Sequence, residues 1–306
     1  MVIAVDTGNK QIKTVGRVFV SGYIESETPP FLSDSTLYYN ERYYALSNQR
    51  TTYMRDKTED ESFFILTLFA IGAELERRNI HKPNDIIDIQ LLIGLPPAHY
   101  STLYNTFEEY FRRRTEDISF TYNGTPYCIY IDEVVSYPQG YAAAMPGFGA
   151  VVSLPKAIIL DWGGWTFDYV LMNNGKVDLS VCDSLERGVI KLYNQVQARI
   201  NAQLDILLSE SDIDAIIRSE AHDFSKELVA FVQKTTQQFV TDTLGSLRER
   251  GIDLKSCHAV LVGGGSLLLR EYIEASGKIV ASTHVTDIHA NAKGYEILYR
   301  ASRKGR

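Results

Sequence analysis

The segment Asp161-Trp162-Gly163-Gly164-Trp165-Thr166-Phe167-Asp168 constrains this chain more than any other. It follows the apolar run Ala157-Ile158-Ile159-Leu160, which reads as a buried strand, and precedes Tyr169-Val170-Leu171-Met172, which reads as the returning one. Two glycines and a threonine between two strands make a tight hairpin whose backbone N–H groups can point at an anion. The flanking carboxylates cannot bind phosphate directly. They make sense beside an anion only with a cation between them and it. Acid–Gly–Gly–x–Thr–x–acid at a strand turn is therefore a metal–nucleotide signature.

The N-terminus repeats this logic. Val2-Ile3-Ala4-Val5 is a short apolar strand, followed at once by Asp6-Thr7-Gly8-Asn9 and then by Lys10-Gln11-Ile12-Lys13-Thr14-Val15, the expected return strand. Lys13 falls where it can lean back over the turn toward a phosphate. Asp-x-Gly is a common hairpin turn, and one such loop alone favours the plain turn reading. Two copies, each directly after a buried strand and one in each half of the chain, favour the functional one. A third element, Ala259-Val260-Leu261-Val262 followed by Gly263-Gly264-Gly265-Ser266 and Leu267-Leu268-Leu269-Arg270, reads as strand, glycine run and helix start. In that arrangement a backbone can approach a base or phosphate without side-chain obstruction.

Taken together, these elements resemble the superfamily of actins, heat-shock chaperones and sugar kinases, and within it the bacterial actin-like proteins of the ParM type, which segregate plasmids. Asp6–Asn9 with Lys13 matches the first phosphate loop, Asp161–Asp168 the second, and Val262–Ser266 the adenosine motif. The two connecting helices of the superfamily are expected to start at Tyr137-Pro138-Gln139-Gly140 and at Ala290-Asn291-Ala292-Lys293-Gly294. The resemblance implies an α/β, actin-like (ribonuclease H-like duplicated) two-domain fold with a nucleotide cleft between the halves. The expected domains are residues 1–155, with a C-terminal helix 290–306 packing back on them, and residues 156–289.

The resemblance also implies ATP or GTP with Mg²⁺ as cofactors. Asp6 and Asp161 would hold the cation largely through its waters, as Mg²⁺ prefers. Thr7, Gly8, Asn9, Lys13, Gly163, Gly164, Trp165 and Thr166 would contact phosphates, and Gly263, Gly264, Gly265 and Ser266 would line the adenosine side. Glu186 and Lys191, in the first turn of a helix, are candidates for ribose or base. Gln139 matches the position that orients the attacking water. A glutamine is no strong base at neutral pH, so hydrolysis is expected to be slow and filament-coupled. Asp6, Asp161 and Gln139 are the residues expected to carry it. Trp165 departs from the family pattern, which more often has a small residue there.

The implied partners are further copies of the chain in a filament, a centromere-binding adaptor protein, and plasmid DNA indirectly through that adaptor, with no membrane. A non-plasmid (archaeal or phage) actin homologue and a small-molecule kinase of the same superfamily are the alternatives. A kinase needs a carboxylate base beside its acceptor and usually a larger substrate domain, and a chaperone needs an appended peptide-binding domain; neither is evident. The net charge of −7 argues against direct nucleic-acid binding, which needs a basic surface. Basic clusters at Arg112-Arg113-Arg114 and in the tail Arg300–Arg306 read as solvated helix faces or ends. Cys128, Cys182 and Cys257 show no metal or disulfide spacing, and no signal segment precedes the first strand, so a cytoplasmic protein is expected.

The remaining chain reads as repeated α/β structure. Phe64, Leu68, Ile71 and Leu75 predict one helix, and Leu103, Phe107, Tyr110 and Phe111 another, after a strand at 86–93 and a loop at Gly94-Leu95-Pro96-Pro97. Asn123-Gly124 predicts a hairpin turn between strands 118–122 and 125–135. A helix is expected from about Pro138 and a strand at 177–182. Val189, Leu192, Val196, Ile200 and Leu204 predict a long helix, Ser211-Asp212-Ile213-Asp214 caps a short one, and Leu228 to Leu247 carries a third apolar stripe.

Overall fold

The computed structural model describes residues 1–304 except Leu32, Asp34, Arg55 and residues 81–84, 114–115 and 221–222. Arg114 and Arg306 of the two basic clusters thus lie outside the described residues. The chain forms two compact units, Met1–Pro146 with Asp287–Arg306, and Gly147–Thr286.

In chain order, the first unit contains β1 (Val2–Thr7), β2 (Gln11–Lys13), β3 (Val18–Val20), β4 (Tyr23–Ser26), β5 (Thr36–Tyr39), β6 (Arg42–Leu46), α1 (Ser62–Arg77), β7 (Ile86–Leu95), α2 (Pro97–Arg112), β8 (Ile118–Tyr122) and β9 (Thr125–Pro138). A 3-10 helix, Ala142–Gly147, leads into the second unit. That unit contains α3 (Phe148–Val152), β10 (Lys156–Trp162), β11 (Phe167–Asn173), β12 (Lys176–Leu185), α4 (Val189–Leu204), α5 (Glu210–Ile217), α6 (Lys226–Glu249), β13 (His258–Val262), α7 (Gly263–Leu268), α8 (Arg270–Ala275) and β14 (Ala281–His284). The chain then returns to the first unit as α9 (Ala290–Lys304).

Among the described residues the first unit holds a nine-stranded sheet in the order β3-β2-β1-β7-β9-β8-β5-β6-β4. β1 runs parallel to β7, and β7 to β9. Period-two alternation sorts its two faces. Ile3, Val5, Leu91 and Ile93 enter the core formed with α1 and α2, while Ala4 and Leu92 face the smaller cluster of Ala142, Ala292 and Tyr295 beneath α9. α1 is buried on every side from Phe63 to Leu75, as befits a helix that is apolar all round.

One buried charge in α1 is held by three side chains and by the Gly16 N–H at 3.3 Å. Glu74 accepts from Thr14 Oγ1 at 2.5 Å, Arg77 Nη2 at 2.7 Å and Arg78 Nε at 3.0 Å. Burial pushes its carboxyl up, but the Arg77 and Thr14 hydrogen bonds and the Arg77 and Arg78 charges outweigh that and hold it below its ordinary value. A depressed carboxyl stabilises the fold above its unfolded-state pKa, and that contribution is lost as pH falls through the folded value. Glu74→Gln is therefore expected to cost about 2 kcal/mol at neutral pH. In urea titrations run at falling pH, the gap from the wild type should close below about pH 4. A gap independent of pH would show that packing, not charge, makes the contribution.

Among the described residues the second unit holds a five-stranded sheet in the order β12-β11-β10-β13-β14. β10 pairs antiparallel with β11 and parallel with β13, and β13 pairs parallel with β14. One face carries Ile158, Leu160 and Trp162 into a core with Val189, Leu192, Val196 and Ile200 of α4 and Val232, Val240 and Leu247 of α6. The α4 and α6 stripes expected from periodicity are thus core.

Three expectations are corrected. β7 runs through Leu95, and α2 begins at Pro97, so the expected 94–97 loop shrinks to a junction at Pro96. No helix starts at Pro138; β9 continues to it in register with Leu95, and Gln139 N–H donates to the Leu95 carbonyl at 2.8 Å. A proline without an N–H is tolerated at the last strand residue as at a helix N1, so local sequence does not separate the two. The cap of α5 is Ser209, not Ser211: the Ser209 hydroxyl accepts from Asp212 N–H, and the Asp212 carboxylate accepts from Ser209 N–H. No described helix is long and apolar enough to cross a membrane.

Candidate functional site

In the first unit, β1 delivers Asp6 as the second-last residue of a strand buried from Ile3 onward. Asp6 is 6% exposed. Its Oδ1 accepts from Gln139 Nε2 at 2.7 Å, and its Oδ2 from Asn291 Nδ2 at 3.4 Å. A carboxylate only accepts, so the Gln139 amide must turn its NH₂ to Asp6 and keep its oxygen for another donor, such as a water. Asn291 is fixed the same way, because its Oδ1 accepts from Gly140 N–H at 3.0 Å. Across the hairpin Asp6 is the direct partner of Lys13, which places both side chains on one face of the sheet.

The turn between them is tied down on its carbonyl side. Lys57 Nζ donates to the Thr7 carbonyl, Ser21 Oγ to the Gly8 carbonyl at 2.5 Å, and Ser21 N–H to the Lys10 carbonyl at 3.1 Å. The two ends of a peptide plane point in opposite directions, so a fixed Gly8 carbonyl turns the Asn9 N–H the other way. The Gly8 N–H itself donates back to the Asp6 carbonyl at 3.0 Å. The Thr7 hydroxyl is buried and accepts from Lys57 at 3.4 Å, so it faces the back of the loop.

In the second unit Asp161 and Asp168 are direct partners across the β10–β11 hairpin, both below 5% exposed. Two carboxylates facing each other on one sheet face repel, and the pair suits a divalent cation's positive charge. Thr166 Oγ1 donates to Asp168 Oδ2 at 3.2 Å. Here the turn carbonyls are tied to the first turn of α4: Val189 N–H donates to Gly163 O at 3.1 Å, Ile190 N–H to Gly164 O at 2.8 Å, and Gly188 N–H to Trp165 O at 2.7 Å. The N–H groups of Gly164, Trp165 and Thr166, on the far sides of those peptide planes, are thereby turned away from the helix. The Gly163 N–H closes the turn onto the Thr166 carbonyl at 2.9 Å.

Gly188 makes this docking possible. A Cβ there would lie 2.4 Å from both the Gly164 oxygen and the Trp165 carbonyl carbon. The Trp165 ring lies 4.7 Å from Lys191 Nζ, and Lys191 also reaches Glu186 at 3.9 Å, so Glu186 and Lys191 do gather beside this hairpin. The late glycine run is the first turn of α7 and not a loop. Gly263, at φ +86°, packs where a Cβ would lie 2.1 Å from Asp161 Oδ1. Gly263 and Gly264 are half-buried, whereas Gly265 packs against the Trp162 carbonyl and Ser266 is 1% exposed.

The residues picked out from sequence therefore gather into two half-sites. Lys57, Ser21 and Asn291 join the first without having been singled out as site residues. Lys57 and Asn291 act across 50 and 285 residues and Ser21 across 13, and only Asn291, at the expected helix start, had any local signal.

Comparisons with known proteins bear on the fold that carries these residues. Residues 4–141 match the family model "Actin like proteins N terminal domain", and residues 159–275 match "Archaeal actin homologue MreB-like, C-terminal". No curated protein matches. Among solved structures the chain is similar to Ta0583, an archaeal actin homolog, at 17% identity and TM-score 0.75, covering 98% of this chain and 99% of that one. Ta0583 has also been solved in complex with ADP. The Bacillus thuringiensis ParM with ATP is 12% identical at TM-score 0.66, covering 99% and 98%. The AlfA filament bound to AMPPNP is 15% identical at TM-score 0.65, covering 100% and 98%. The α/β fold of this chain is that of the actin homologues.

Proposed function

We propose that this actin-fold chain is a nucleotide-dependent polymerising ATPase or GTPase whose filaments segregate plasmid DNA through a centromere-binding adaptor. The observation that carries the reading is shared by both half-sites. A buried strand ends in an aspartate, and the turn after it has its carbonyls tied back so that N–H groups are presented on the opposite side. That arrangement receives phosphate on amides and a cation on carboxylates.

Asp6 and Asp161 suit Mg²⁺, which when bound neutralises the phosphate charge that grows as the terminal phosphoryl group leaves. Asn9, Gly164, Trp165 and Thr166 bind phosphate oxygens through their amides, with Lys13 as a point charge. Gln139, clamped to Asp6 by its NH₂, uses its oxygen to accept a hydrogen bond from the attacking water and so aligns it. A positioned amide is no proton acceptor of consequence, so hydrolysis is slow. Gly263 and Gly264 let the backbone approach the nucleoside.

Assembly into filaments is supported by the actin fold, on which the similar AlfA forms one. The plasmid cargo rests on the resemblance of the phosphate and adenosine motifs to those of ParM-type proteins. The acidic net charge of −7 favours an adaptor over direct contact with DNA.

Light scattering and pelleting with Mg²⁺ plus ATP, GTP or a non-hydrolysable analogue test the reading. Filaments that form with triphosphate, decay as phosphate appears and persist with the analogue are expected. Protein that binds nucleotide but never assembles would overturn the cytomotive reading and turn attention to acceptor substrates of a kinase.

A further inference from the structure

The second phosphate turn is backed by the N-terminal end of α4, where backbone amides and the helix dipole supply positive charge behind the loop. The first turn is followed by a strand, not a helix, yet its carbonyls are held in the same manner. The group that takes the helix's place is a side chain from a distant segment.

Lys57 lies between β6 and α1 and is 5% exposed. Its ammonium donates to the Thr7 carbonyl and lies 3.4 Å from the Thr7 hydroxyl. The Phe63 and Phe107 rings flank it, with centroids at 5.2 and 5.8 Å. Burying an ammonium costs several kcal/mol unless hydrogen bonds and ring faces replace its water. A methionine would fill the same space without that cost, so the charge is explained by what it holds. Ser21 is fully buried; its hydroxyl donates to the Gly8 carbonyl, and its backbone carbonyl accepts from Thr51 N–H at 2.7 Å and Thr51 Oγ1 at 3.0 Å. The segment after β6 thus grips the back of the loop directly through Lys57 and braces, through Thr51, the Ser21 that holds it.

We infer that Lys57 is a positioning residue of the first phosphate loop: it locks the Thr7–Gly8 peptide and gives the loop the buried positive charge that α4 gives its counterpart, with Ser21 locking the next peptide. The inference rests on the nucleotide reading above. Its consequence is selective. Lys57 governs how tightly phosphates beyond the first are held and leaves the nucleoside end untouched.

The test compares binding of MgATP and MgGTP with binding of AMP and GMP by the full chain, in the wild type and in Lys57→Met, Lys57→Arg and Ser21→Ala. Lys57→Met is expected to weaken the preferred triphosphate about tenfold while the monophosphate changes less than about twofold, and Lys57→Arg to restore most of the loss. Equal losses for triphosphate and monophosphate, tracking a lowered Tm, would reduce Lys57 to a packing residue and overturn the inference. Unchanged triphosphate affinity would do the same. Should Lys57→Met fail to fold, Lys57→Arg and Ser21→Ala carry the comparison. Ser21→Ala is expected to weaken triphosphate selectively, and equal binding of both ligands would overturn the tie-back. A wild type that binds none of the four nucleotides is a separate result: the nucleotide reading itself fails, and the role of Lys57 falls with it.

Discussion

Gln139→Ala is expected to slow phosphate release from bound triphosphate by about a hundredfold while changing nucleotide affinity by less than about threefold. The asymmetry follows from the hydrogen bonds. Gln139 Nε2 is committed to Asp6 Oδ1 at 2.7 Å, which leaves its oxygen as the acceptor that aligns a water. Alanine removes that acceptor, whereas the amides and Lys13 that would grip phosphate are elsewhere. Single-turnover phosphate release, read beside light scattering, separates the two effects. The variant should assemble with triphosphate and disassemble late. If hydrolysis is unchanged and the filaments turn over normally, Gln139 serves only to hold Asp6 in place.

A second large effect is expected at Gly188. A Cβ at this position would stand 2.4 Å from the Gly164 oxygen, and backbone cannot swing aside as a side chain does. Gly188→Ala must therefore back α4 away from the hairpin, straining the hydrogen bonds from Gly188, Val189 and Ile190 to the turn carbonyls. A loss of about 3 kcal/mol is expected in urea unfolding, at the upper end for overpacking. Triphosphate affinity should fall with it, because the amides of Gly164, Trp165 and Thr166 lose their fixed direction. A loss below about 0.5 kcal/mol would mean that the helix slides without cost and that the turn does not depend on it.

What could be read in the sequence was local. The Asp161–Asp168 hairpin and the Asp6 turn are visible because strand, turn and return strand are contiguous, and the α1, α4 and α6 stripes because helical periodicity is contiguous too. The misreadings have equally local causes. Pro138 carries the same signal at a strand end as at a helix start, and only the register with Leu95 decides between them. Ser209 and Ser211 compete for one cap, and the Asp212 carboxylate selects the first. Thr7 and Ser266 show the limit from the other side. Both belong to matching motifs, yet their hydroxyls are buried, and the Thr7 hydroxyl faces Lys57. Lys57 and Asn291 were beyond reach as site residues because each meets its partner across a long stretch of chain, and Ser21 because a serine before a glycine reads as an ordinary turn: a lone lysine in a polar segment carries no mark of the carbonyl it will hold.

The helix that supplies Asn291 to Asp6 follows the second unit in the chain, although the strand it completes is made first. During synthesis, the N-terminal aspartate must wait for the entire second unit to emerge before its final donor arrives. A chain whose synthesis has reached only the end of the second unit thus lacks the Asn291 donor to Asp6.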